Sequence, residues 1–245
     1  MEANIKGTTM PILEVRLAQG EHVVSAHSEL SWMTPDIRMS QTSASGGKGG
    51  IMHGIKRVAG GGGLFLTRYE GPGMVAFAAK VPGHIAPVDI TQGRDYYVHR
   101  HGWLCGTPGI VPSVGLQQSF RGGMFGGEGF VLQRLEGQGR AWIELSGEVT
   151  NYELPPGHTL LVHPGHIGMF EGSVQFKITR IHGIANALFG SDDVHLVALT
   201  GPGGVWLQSM PLASLAGALS PFFATTQEAV GAGALGGMIG GMLRS

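Results

Sequence analysis

One pattern occurs three times in this chain and limits what the chain can fold into. It is a short run of alternating apolar residues, a Gly-x-Gly turn, and a second alternating run. The copies are Leu64–Phe77, Gly126–Leu145 and Val194–Leu207. Aligned on their glycines, Gly71, Gly137 and Gly201 coincide, as do Gly73, Gly139 and Gly203. Glycine is placed where φ must turn positive or where a Cβ would collide. Alternation is the signature of a strand. Ahead of the turn, Leu64/Phe130/Val194 and Leu66/Leu132/Leu196 share a face, while Tyr69/Leu135/Leu199 stand three positions further on. An odd offset changes face unless one extra residue is absorbed, so the pattern predicts a β-hairpin with a bulge just before each turn. Val75/Ala141/Val205 and Phe77/Ile143/Leu207 then resume the alternation.

A second motif recurs in step with the first. Leu17-x-x-Gly20, Ile90-x-x-Gly93 and Leu154-x-x-Gly157 each introduce a strand, over Glu21–Ala26, Arg94–His99 and His158–His163. The chain therefore divides into an N-terminal extension (1–10), three β units (11–85, 86–149 and 150–212), and a C-terminal helix with a Gly/Met-rich tail (213–245). An all-β fold of three repeated units in pseudo-threefold arrangement is the economical reading. Within the first unit, Ser40–Gly50 reads as a flexible loop and 51–59 as a short helix. The lysine among those glycines lacks the Gly-x-x-x-x-Gly-Lys-[Ser/Thr] order of a phosphate loop. Ile184–Phe189 suits one helical turn, and Leu212–Leu219 a short helix stopped before Pro221. In the tail, Leu235, Met238, Ile239 and Met242 fall on one helix face and glycines on the other. Glycine costs about 1 kcal/mol at a helix interior position, so such a helix needs something packed closely on it. The alternatives are a loosely docked end, another subunit, or a membrane surface.

Charge narrows the function. Lys and Arg number 16 against 17 Asp and Glu, which opposes nucleic-acid binding through phosphate neutralisation. Only 13% of residues are charged and 43 of 245 are glycine, a composition that suits tightly turned β structure and subunits that hide surface in a homo-oligomer, most simply a trimer. The single cysteine, Cys105, has no partner for an internal disulfide. With no leader-like apolar run at the N-terminus, a reducing, cytoplasmic compartment is expected.

The residues also match a known family. Gly126-Gly-Glu-Gly-Phe-x-Leu-Gln-Arg-Leu-x-Gly-x-Gly-x-x-Trp142, Leu154-x-x-Gly157 and Val205-Trp-Leu-Gln208 resemble the family called Altered Inheritance of Mitochondria twenty-four. The resemblance implies TRAP-like β-sandwich units of double-stranded β-helix type, built like the tryptophan RNA-binding attenuator protein and assembled into trimer-like or ring-like bodies. It also implies a link to mitochondrial inner-membrane organisation, and it supplies no catalytic residue or cofactor.

The residues themselves offer few chemical candidates. Gly93-(five residues)-His99-Arg-His101 copies the first half of a cupin metal motif, and two imidazoles two apart on a strand share a face. Completion as a metal-dependent enzyme site would draw on His166 as third ligand if the units converge. Arg68-x-Glu70 and Arg134-x-Glu136 suit local ion pairs. Trp142 and Trp206 occupy matching positions and suit core or subunit-contact packing. The reading reached from sequence is a non-catalytic oligomeric binding or scaffold protein without a cofactor, with the metal enzyme and a membrane organiser working through 229–243 as rivals.

Overall fold

The computed structural model describes residues 1–26, 29–43, 65–118, 130–181 and 194–222. The elements expected at 51–59 and 184–189, and tail residues Leu235, Met238, Ile239 and Met242, lie outside the described residues.

The N-terminal extension contributes β1 (Glu2–Lys6). The first stretch supplies β2 (Ile12–Leu17), β3 (His22–Ala26), β4 (Trp32–Met33), β5 (Arg38–Ser43), β6 (Phe65–Glu70) and β7 (Gly73–Ala78). The second supplies β8 (Gly83–Ile90), β9 (Tyr96–His99), β10 (Trp103–Gly106), β11 (Ile110–Gln118), β12 (Phe130–Gly137) and β13 (Gly139–Ser146). The third supplies β14 (Val149–Leu154), β15 (Thr159–Val162), β16 (Ile167–Glu171), β17 (Gln175–Ile181), β18 (Val194–Thr200) and β19 (Gly203–Gln208). The expected breaks at 85/86 and 149/150 fall inside or at the start of β8 and β14.

In the first stretch β7 lies between β2 and β4, and β6 between β5 and β3. In the second, β13 lies between β8 and β10, and β12 between β11 and β9. In the third, β19 lies between β14 and β16, and β18 between β17 and β15. β3 then pairs with β10, and β9 with β16, fusing neighbouring three-stranded sheets into six-stranded ones. The sheets β1-β2-β7-β4 and β15-β18-β17 are left at the two ends of the series.

The expected bulged hairpins are not there. β6 and β7 lie in different sheets, as do β12 and β13, and β18 and β19. Each Gly-x-Gly carries the chain across from one sheet to another. The register from Leu132↔His99 to Leu135↔Tyr96 runs unbroken, and so do the pairings of β6 and those of β18. The odd offset has another cause: these strands are buried on both faces. Leu66 packs in a cluster with Val24 and Trp103, whereas Tyr69 packs with Leu13, Val15 and Phe77. Leu132 likewise joins Phe170 and Val197, and Leu135 joins Val98 and Ile143. Register shifts do occur elsewhere, between Val114 and Leu116, Trp103 and Cys105, and Ile167 and Met169.

The turn glycines are needed for the two reasons expected. Gly73, Gly137, Gly139 and Gly203 have φ of 142°, 110°, 149° and 138°. Gly71 and Gly201 are held by close approach, since a Cβ would lie 2.5 Å from Ala18 O and 2.3 Å from Leu154 O. The second motif forms as read. Glu21, Arg94 and His158 N–H donate to the carbonyls of Ala18, Thr91 and Pro155 at 3.1, 2.9 and 3.1 Å, and β3, β9 and β15 follow.

Helix α1 spans 212–222 and so passes Pro221 instead of stopping before it. The proline ring has no N–H for the Gly217 carbonyl one turn back. Ser220 replaces it, its Oγ donating to Gly217 O at 2.9 Å. Leu212, Leu219 and Phe222 are exposed on α1. Among the described residues no helix is long and apolar enough to cross a membrane.

Candidate functional site

The histidines of the metal reading are placed apart in role. β9 ends at His99, and His101 lies beyond it in the turn closed by Gly102 N–H donating to His99 O at 2.9 Å, so the two do not share a strand face. His99 Nε2 bonds the backbone carbonyl of Glu144 at 2.8 Å, and His166 Nδ1 bonds that of Gln208 at 2.8 Å. A carbonyl only accepts, so each ring nitrogen carries the proton there. His166 meets His163 edge-on at 5.9 Å. Among the described residues no group of three His, Cys, Asp or Glu side chains could hold a metal ion.

Burial pushes the His99 imidazole down to about 4, against a smaller opposing effect of its bond to the Glu144 carbonyl. The consequence is an acid-sensitive contact. Between the unfolded value of 6.5 and about 4, the unfolded chain takes up a proton that the folded chain refuses. Stability therefore falls as pH drops through that window and levels off below it. His99→Gln keeps an N–H for the carbonyl and removes the titration. It is expected to flatten the loss by about 2 kcal/mol, read from urea unfolding near neutral pH and near pH 4.5. An equally steep loss in the variant would place the acid sensitivity elsewhere.

Close by, two largely buried carboxylates flank the exposed Lys80. Glu144 is 3% exposed, and its Oε1 accepts from Lys80 N–H at 2.7 Å. Lys80 Nζ lies 2.5 Å from Glu29 Oε2 and 3.7 Å from Glu144 Oε2. Burial raises the Glu29 carboxyl, with Lys80 opposing. Burial also raises the Cys105 thiol well above its usual range, which makes it a packed small residue and a poor nucleophile. Neither glutamate lines the depressions of about 420, 460 and 440 Å³ on the surface. The sequence gives no hint of this cluster, because its members lie far apart in the chain with no spacing that links them.

The arginines are committed in pairs. Arg68 reaches Glu70 at 2.6 Å along one strand. Arg134 reaches Asp95 at 2.5 Å and Glu136 at 3.0 Å. Trp142, a candidate subunit contact, is 2% exposed inside the cluster with Val75 and Phe77, so it serves the core. Trp206 is partly buried, its ring 6.0 Å from that of Tyr96.

Apart from the residues on α1, several of the exposed apolar side chains stand on edge strands. Trp32 on β4 is 42% exposed and Leu161 on β15 is 52% exposed. Beside β15 runs the groove of about 440 Å³, with Tyr152, Leu160, Leu161, His163, His166 and Leu207 in its walls. An edge strand offers unpaired N–H and C=O groups, so an apolar edge next to a groove is a surface made for adding a strand.

The family described as Mitochondrial biogenesis AIM24 matches residues 3–210. The chain belongs to that family. The AIM24 assignment confirms the resemblance read from the glycine pattern. No curated protein matches the chain. Among solved structures it is similar to the X-ray crystal structure of protein SPYM3_0169 from Streptococcus pyogenes. The likeness is 19% identity over 90% of this chain and 99% of that one, at a TM-score of 0.69. At that identity the likeness concerns the fold.

Proposed function

We propose that this AIM24-family chain is a non-catalytic oligomeric binding or scaffold protein, built from three copies of one TRAP-like β-sandwich unit. Support for the repeat comes from bonds at matching positions. Thr34 Oγ1 accepts from Met74 N–H at 3.0 Å, Thr107 Oγ1 from Arg140 N–H at 3.0 Å, and Glu171 Oε2 from Gly204 N–H at 3.3 Å. The carbonyls of the same three residues accept from the N–H groups of Ile37, Ile110 and Val174 at 3.2, 3.0 and 3.0 Å. One local device at three matching places is what duplication leaves behind.

The observation that carries the scaffold reading is the division of side chains. Charged groups that a reaction centre would use are tied to one another: Arg94 to Glu171 at 2.5 Å, Arg140 to Asp89 at 2.7 Å, Lys80 to Glu29 at 2.5 Å. The large side chains left to solvent include apolar ones on strand edges, such as Met39, Val114, Tyr152 and Leu161. Such a surface recognises other protein by shape and strand addition. A homotrimer is the simplest count. Light scattering across a wide concentration range tests it: a mass above that of one chain is expected, and a single-chain mass throughout would overturn the reading.

A further inference from the structure

We propose that copies of this protein join head to tail, β15 of one copy adding to the outer edge of β4 in the next. The inference rests on the three-unit reading above and names the surfaces that would carry its assembly.

The chain contains two worked examples of this joint. β3 pairs with β10 as Ser25↔Cys105 and Val24↔Gly106. β9 pairs with β16 as Val98↔Met169 and Tyr97↔Phe170. Aligned on Gly20, Gly93 and Gly157, Ser25 matches Val98 and Val162, and Val24 matches Tyr97 and Leu161. Aligned on their partners Ala76, Trp142 and Trp206, Trp32 matches Cys105 and Met169. Met33 matches Gly106 and Phe170 in the same way through Val75, Ala141 and Val205. Both internal joints thus have one register. Carried to the two strands that remain, it gives Trp32↔Val162 and Met33↔Leu161. All other sheet edges correspond to edges in every stretch, apart from β2, which β1 covers. Among the described residues, only β4 and β15 are open where their counterparts are joined.

Burial tells the same story. Cys105 and Met169 are 0% and 1% exposed, while Trp32 is 42%. Val24 is 7% exposed, while Leu161 is 52%. Val24 and Leu66 of the first stretch enter the core of the second, and Tyr97 and Leu132 of the second enter the core of the third. Their counterparts are Leu161 and Leu196. The core of the first stretch contains neither. The occupant that fits β4 is therefore a copy of β15, and the chain that carries one is a second copy of this protein. Because β4 meets β15 and never itself, the contact is heterologous and builds a ring or a filament.

Trp32→Asp and Leu161→Asp test the joint, each placing a charge at an exposed position of one edge only. Each variant alone is expected to be folded by circular dichroism, with the thermal unfolding of wild type too dilute to assemble, and to have the mass of one chain. Mixed in equal amounts, they are expected to give dimers and nothing larger, since each supplies the intact edge the other lacks. Oxidative crosslinking checks the register: Met33→Cys mixed with Leu161→Cys is expected to form disulfide-linked dimers, and Met33→Cys mixed with Thr159→Cys to form few. Wild-type assembly that survives both aspartates, or a mixture that stays monomeric, overturns the joint while leaving the oligomeric reading intact. A wild type that is itself monomeric overturns both.

Discussion

Gly137→Ala is expected to lower the unfolding free energy by about 4 kcal/mol, enough to remove much of the stability of an ordinary domain. Two costs add at this position. Its φ is 110°, a region that L side chains rarely adopt. A Cβ would lie 2.0 Å from the carbonyl oxygen of Gly109, a backbone atom that cannot swing aside. Gly109 belongs to the turn before β11, whose first residue Ile110 pairs with Gly137, so yielding there would disturb that ladder from its end. Gly157→Ala separates the two costs. Its φ is 78° and a Cβ there meets nothing within 4 Å, so it is expected to lose only about 1 kcal/mol. Urea unfolding of both variants decides the matter, and equal losses would show that crowding at the corner is not what selects glycine.

The contrast explains what could be read from sequence. Alternation and positive-φ glycines are local properties, so the strands and the turn positions at Gly73, Gly137, Gly139 and Gly203 were legible. Whether a turn returns the chain to the same sheet or delivers it to another is not local. β12 and β13 bury apolar side chains on both faces, Leu132 in one cluster and Leu135 in another. On a one-faced strand that spacing means a bulge, which is why the corner looked like a bulged hairpin. The helix stop before Pro221 failed for a related reason, since the hydroxyl of Ser220 does what the missing N–H cannot. At the candidate site, His99 and His101 looked like a pair because a strand was taken to continue through both. The turn at 100–101 separates them, and a backbone carbonyl occupies the ring nitrogen of His99. Trp32 and Leu161 carried no signal at all. A lone exposed apolar residue is ordinary, and these two acquire meaning only from the strands their counterparts meet.

Phe170→Ala is expected to cost about 4 kcal/mol, and Met33→Ala at the matching place on β4 less than about 1 kcal/mol in the isolated chain. Phe170 is 0% exposed. Its ring stacks on Tyr97 at 5.2 Å and on Phe176 at 6.1 Å, and its backbone pairs with Tyr97 across the joint of β9 and β16. Truncation therefore leaves a cavity between two stretches of chain, with aromatic neighbours on strands that cannot close over it. Among the described residues Met33 has β7 on one side and no strand on the other, and it is only partly buried against the core, so less is lost when it is shortened. The difference is a measure of what a neighbouring β9-like strand adds. It should therefore depend on concentration for Met33 and not for Phe170. In dilute protein Met33→Ala unfolds within about 1 kcal/mol of wild type. Where copies associate through β15, wild type gains stability from the partner by mass action and the variant gains less. Phe170→Ala is expected to keep the same deficit at both concentrations, because its partner strand is in its own chain. A concentration-dependent deficit at Phe170, or none at Met33 in assembled protein, would show that the covered and the open joint do not share one geometry.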